Sequence, residues 1–333
     1  MPESPIVAQG NTERRCHMVE HILRVEGSDV SEGRPSPTSI GNVLRQIGYA
    51  ARESVRMGFR HSSRIPGRQP GWLSAAENVR FTGLSASATG ETLLRFEAPR
   101  FGEVAEEPYR EPNLFETPPA PSDSAFDILG DILNEIRIKA TDSELYDIGL
   151  LKRFEKFNNT VFRYGVSSIT IQGNRYSLAN APRIDNELSQ TAAMLHREIP
   201  SPKRVRVMGK LDMIRDSDRV FNLILESGER LHGVWTGGDT GTLGAFFRKN
   251  VAVGGVAIFR PSGTLLRVDA EAMALAGEKD NFFSVVPKST PRELEVPALI
   301  RSQKRKGGIA AVFGKWPGDE SEEQLLTVLK ELD

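Results

Sequence analysis

Three runs between Lys203 and Trp235, KRVRVMGKLDMIRD, DRVFNLILESG and ERLHGVW, alternate apolar and β-branched residues with charged ones. Turn signals at Asp216 to Asp218 and at Ser227-Gly228 divide them. Alternation at period two puts one face of each run inside and predicts a three-stranded meander. After Trp235, TGGDTGTLGAFFRKN reads as a glycine-rich loop and then about two turns of helix carrying Leu243, Phe246 and Phe247. VAVGGVAIFR and GTLLRVDA resume the alternation across Pro261-Ser262-Gly263. The predicted order over residues 203–270 is β-β-β-α-β-β, with Gly209 and Gly254-Gly255 at expected strand bends.

Upstream the pattern is mixed. Residues 1–38 show little periodicity and include SDVSEGRPSPTS, so they are expected to be mobile. Helical spacing predicts a helix over 39–59, capped by Thr38 or Ser39, with Arg45, Arg52, Arg56 and Arg60 on its exposed face. Two strands are predicted over 78–84 and 91–98. The stretch 99–123 holds six prolines and reads as an extended connector, which Tyr109 and Phe115 could pin to a neighbour. A helix over 124–139 buries Phe126, Leu129, Ile132, Leu133 and Ile136, and leaves Asp123, Asp127, Asp131 and Glu135 as a solvated face. A second helix over 147–162 turns Leu150, Leu151, Phe154, Phe157 and Val161 inward. VSSITIQGNRYSLA reads as a hairpin turning at Gly173-Asn174, and a last helix covers 184–196. Residues 39–200 thus form an α+β domain ahead of the 203–270 module.

The β-β-β-α-β-β order resembles an OB-fold, a five-stranded Greek-key barrel with a short helix plugging one end; an SH3-like barrel is the rival. Such barrels commonly bind single-stranded nucleic acid with basic strands and stacked rings. Residues 203–270 hold eleven Lys and Arg against seven Asp and Glu, a mild basic bias. Arg206, Arg219, Phe221, Arg230 and Trp235 are the candidate nucleic-acid-binding set, although Phe221 and Trp235 equally suit the barrel interior.

Composition narrows the setting. The chain has 333 residues, 39% hydrophobic and 26% charged, with a formal net charge of −1, so any electrostatic attraction to nucleic acid must be local. Its single cysteine, Cys16, excludes an internal disulfide framework and suits a reducing cytoplasm. No apolar run is long enough to span a membrane, and the first residues lack a secretory pattern. The histidines are scattered, and no metal spacing, nucleophile motif or phosphate loop ending in GK[ST] occurs, so a non-enzymatic protein without metal or cofactor is expected. The loop TGGDTGTLG could at most offer backbone N–H groups to an anion.

Residues 277–333 read as an extended arm with a short terminal helix. Gly314 to Gly318 holds Trp316-Pro317 in a turn, and Ser321 with Gln324 can form a capping box. Leu325, Leu326, Leu329 and Leu332 make an apolar stripe on a helix of about three turns, too short to be stable alone in water. The sequence GKWPGDESEEQLLTVLKEL resembles the C-terminal tail of bacterial antitoxins. That resemblance implies a tail that wraps and inhibits a toxin, such as a PIN-type ribonuclease, with Phe313, Trp316, Pro317, Leu325, Leu326 and Leu329 as partner-binding residues. It covers about twenty residues and finds no small DNA-binding domain of AbrB or ribbon-helix-helix type to go with it.

Overall fold

A strand that the hydrophobic pattern passed over stands at the centre of the fold. The structure is a computed structural model and describes residues 17–64, 69–110, 118–215, 219–238, 241 and 243–289. The chain divides into two units, Met1–Ser289 and Thr290–Asp333. The candidate tail residues Phe313, Trp316, Pro317, Leu325, Leu326 and Leu329 therefore lie outside the described residues, as do Cys16 and Phe115.

The expectation of a mobile segment over 1–38 is corrected for its described part. Met18–Glu26 forms β1, with β3 (Thr92–Pro99) on one flank and β4 (Ser168–Gln172) on the other, both antiparallel. The edges are β2 (Arg80–Ala86), beside β3, and β5 (Arg183–Asp185), beside β4. MVEHILRVE does alternate, but its first inward position, Val19, is only half-buried and the next is a histidine. His21, Leu23 and Val25 are buried, while Glu20, Ile22 and Arg24 face outward.

Helices cover the inner face. α1 (Pro37–Arg60) is capped by Ser36, whose hydroxyl accepts from the Ser39 N–H at 3.2 Å, and not by Thr38 or Ser39. Pro37 at the first helical position explains the earlier start, since its missing N–H costs nothing there. The expected basic face is divided: Arg45 and Arg52 are exposed, Arg56 is held by Glu77 at 2.7 Å, and Arg60 is buried. After α2 (Gly71–Ala76), the connector is not fully extended, because α3 (Phe101–Val104) and α4 (Glu106–Arg110) turn within it. Phe101 is buried, and Tyr109 donates to the Pro119 carbonyl at 2.8 Å.

α5 (Ala125–Arg137) buries the predicted face. The next predicted helix splits into α6 (Ile148–Glu155) and α7 (Phe157–Thr160), where the weak helix formers Asn158, Asn159 and Thr160 follow. Its predicted inward residues are all buried. The hairpin differs more. β4 stops at Gln172, and the strand that returns beside it is Arg183–Asp185, not the run after Gly173-Asn174. Arg175 and Tyr176 instead reach across to α5. α8 (Asn186–Glu198) begins after Asp185, which caps it by accepting from the Leu188 N–H at 2.9 Å.

The 203–270 module closes as a five-stranded barrel of β6 (Lys203–Arg215), β7 (Val220–Ile224), β8 (Arg230–Trp235), β9 (Asn250–Phe259) and β10 (Leu265–Leu275), in the cyclic order β10-β8-β7-β6-β9. β8 and β10 run parallel and every other pair antiparallel, which gives the module an OB-like form. The expected helix shrinks to one 3-10 turn, Leu243–Phe246; Leu243 is buried and Phe247 is exposed. Residues after β10 cross the outside of β6, where Arg206 meets Asp280 at 2.7 Å and the Glu226 N–H donates to Ser284 Oγ at 2.9 Å.

The barrel and the α+β domain are not independent. The β9–β10 register slips between Leu265 and Arg267, leaving Leu266 as an extra residue. A bulge turns neighbouring side chains away from their regular faces. Leu265 packs on the barrel core, while Leu266 sits in the core of the α+β domain with only 5% of its surface exposed. Arg267 follows it into the seam and donates to the His61 carbonyl at 2.7 Å, with Asp147 Oδ2 3.6 Å away. Asp147 also accepts from Ser63 Oγ at 2.6 Å and from the first α6 amides, Gly149 at 2.9 Å and Leu150 at 3.1 Å. Asp147→Ala removes a helix cap and one of the two carboxylates beside the buried Arg267, which keeps Asp269 at 2.7 Å, and the loss is expected to be about 1–2 kcal/mol in urea unfolding. Asp147→Asn keeps the cap and is expected to lose less.

Candidate functional site

The barrel set does not converge on one surface. Phe221 is fully buried; a Cβ on its cross-strand partner Gly233 would come within 2.2 Å of the ring. Trp235 is 7% exposed and belongs to the same core. Both rings fill the interior, so neither offers a face to a base. Arg206 lies on the β6 exterior with its guanidinium 5.8 Å from the Phe283 ring centre. Arg219 precedes β7 in a left-handed conformation, φ 60°, and its carbonyl accepts from the Trp235 N–H at 2.7 Å. Arg230 stands at the far end of that ladder, opposite Ile224.

In a barrel of this form the outward face of the second and third strands, with the first and last hairpin loops, is the usual oligonucleotide surface. Here that face is largely covered. Val220, Asn222 and Val234, which point outward from β7 and β8, are buried, and His232 packs its ring 4.5 Å from that of His61. The β9–β10 turn is tied down as well. Arg260 pairs with Asp142 at 3.2 Å and Glu144 at 2.5 Å, and the Ser262 N–H donates to the Thr141 carbonyl at 3.0 Å.

The strongest polar constellation lies in the α+β domain, where the sequence reading placed a solvated acidic face. That expectation is corrected: Asp127 is fully buried and Asp123 is 4% exposed. Arg175 explains it, since its guanidinium lies 3.4 Å from Asp123 and 3.8 Å from Asp127 and binds Asp131 directly. Burial opposes the Arg175 charge, yet the bond to Asp131 and the surrounding carboxylates raise its pKa above the ordinary value. Asp127 also completes the α5 cap, accepting from the Ser124 N–H and hydroxyl, each at 2.9 Å. The Tyr176 hydroxyl donates to Asp131 at 2.6 Å.

His21 enters this cluster from β1, with Nε2 2.9 Å from Ser124 Oγ. Serine, histidine and aspartate are thus adjacent, but in the wrong order for nucleophilic catalysis. The carboxylate binds the serine and not the imidazole, and Ser124 is fully buried as a helix cap. The arrangement fastens β1, α5 and the loop after β4 together. Among the described residues no group of three His, Cys, Asp or Glu is placed to hold a metal ion, and no helix is long and apolar enough to cross a membrane. The sequence signal for the cluster was Ser124 three residues before Asp127, a capping-box spacing that predicts an inward carboxylate. Nothing local points to Arg175.

Compared with known proteins, the chain matches no family model, no curated protein and no solved structure.

Burial lowers the His21 pKa from 6.5 to about 4, against the pull of Asp127 and Glu20. The folded state therefore stays unprotonated while the unfolded chain takes up a proton. Stability from the neutral ring is complete above pH 6.5 and is lost as the pH falls toward 4, by at most about 3 kcal/mol. His21→Gln should flatten that part of the pH profile in urea midpoints measured between pH 7 and 4.

Proposed function

We propose that this chain is a non-enzymatic binding protein of antitoxin type, acting in the cytoplasm. Its C-terminal tail docks on and inhibits a partner protein, such as a PIN-type ribonuclease toxin encoded nearby. The observation that carries this reading is the division of labour between the two ends of the chain. The barrel spends its outward β7–β8 face and its β9–β10 turn on the α+β domain, which favours a scaffold over a nucleic-acid groove. The tail, by contrast, has a tryptophan turn and a leucine stripe on a segment too short to hold helical shape unaided.

Chemistry supports a binder over an enzyme. The Ser124, His21 and Asp127 cluster is sealed in a helix cap, and His196 is tied to Glu155 at 2.9 Å. In a groove-docked tail, Trp316 is the natural anchor, with Phe313, Pro317, Leu325, Leu326 and Leu329 around it. The test is co-purification with the product of the adjacent small reading frame. Deleting residues 309–333 should abolish capture and leave the far-UV spectrum of the remainder unchanged. Trp316→Ala should weaken it by about tenfold or more. Capture that survives the truncation overturns the proposal.

A further inference from the structure

β1 is paired unequally on its two flanks. Toward β3 its ladder runs from Met18 to Val25, but toward β4 it covers only Ile22 to Glu26. Among the described residues, Met18 to His21 therefore have no ladder partner on that flank. The Ile171 N–H donates to the Pro182 carbonyl at 2.9 Å, toward β5, so the neighbouring Gln172 turns its main chain toward β1 and Ile22. By the same two-residue alternation, the N–H and C=O of Glu20 point into the space that β4 has left. Among the described residues no hydrogen bond outside the ladders reaches the Glu20 main chain.

That space is a cavity of about 410 Å³, lined by Val19, Glu20, Gln172, Gly173, Asn174 and Tyr176, among others. Its far wall is fixed by specific contacts. The chain must leave the sheet at Gly173 with no side chain, because a Cβ there would lie 2.0 Å from His21 Nδ1. The Gly173 N–H donates to the Tyr176 carbonyl at 3.0 Å, and Asn174 Nδ2 donates to the Ser122 carbonyl at 3.2 Å. Tyr176 is in turn anchored on Asp131 at 2.6 Å. The result is a notch with strand-edge donors and acceptors on one side and held polar side chains on the other.

Of the described residues that line it, Glu20 alone carries a charge, and it is half exposed. Arg95, at 2.7 Å from Glu20, is the one cation bonded to it among the described residues. We propose that this notch is a docking site for a short extended segment of a partner protein, which adds to β1 as a strand fragment and sets a Lys or Arg against Glu20. Strand addition of this kind draws affinity from main-chain bonds and selectivity from the side chains beside them. Docking at this notch does not depend on how the tail is used.

The test uses the full chain, isotopically labelled, with a capped Val-Arg-Val peptide and a capped Val-Gln-Val control as probes. Saturation with the arginine peptide should slow hydrogen exchange at the Glu20 amide. Glu20→Pro removes that donor without breaking a β3 bond, because the N–H points away from β3, and should weaken binding by at least about fivefold. Glu20→Gln should weaken the arginine peptide alone. If the proline variant fails to fold, the exchange measurement and Glu20→Gln still decide. Unchanged exchange at Glu20, or equal affinity in wild type and variants, overturns the site. So does a Glu20 amide already protected in the free chain and released by removing residues 1–16, which would give the notch to the chain's own start.

Discussion

A single extra residue in β10 determines how the described part of this protein is joined. Where regular pairing would send Leu266 and Arg267 to opposite faces, the slip beside Leu265 delivers both to the α+β domain. One fills its core, and the other brings a charge to Asp147 and the His61 carbonyl. A buried charge of this kind is tolerable only with a near-complete set of partners. Asp269 and the His61 carbonyl each accept from Arg267 at 2.7 Å, and Asp147, committed to Ser63 and to the first turn of α6, adds its charge from 3.6 Å. Helix start, loop and barrel thus meet at Asp147.

The same logic operates at the other end of the α+β domain. Asp123, Asp127 and Asp131 would repel one another on a free helix, and they are gathered instead around Arg175. Burial lifts the Asp123 pKa above its ordinary value, against the pull of Arg175. His21 remains neutral beside them, bonded through Ser124. These are costly groups to bury, and each is placed where a strand, a helix cap and a loop meet. The chain invests its polar interior in joints between elements and not in an open reactive pocket.

Much of this was legible in the sequence, but unevenly. The barrel strands were readable because their alternation is long and their turns are marked. The predicted interior of α5 and α6 followed from helical spacing alone. What failed was every feature decided by a distant partner. Arg60 and the Asp123 to Asp131 ladder look solvated until the opposite element is known, since period counts neighbours along the helix and not across it. β1 was missed because a histidine occupies an inward position and a polar run follows it. The return strand after Gly173 was misplaced because Tyr176 packs against Gly130, where an added Cβ would come within 2.1 Å of its ring. The candidate tail residues fall outside the described part, so their reading stands on sequence.

The shared seam limits how this protein can be taken apart. Although residues 203–270 close a barrel by hydrogen bonding, a fragment cut at those bounds would present Leu266 and Ile258 to water where they now pack on the α+β core. It would also lose Val286, which lies beyond the last strand and packs on the barrel's own core. Sheet closure and thermodynamic autonomy are therefore different properties here. The barrel is a lobe grown onto its neighbour, not a cassette that recombination or cloning could move intact.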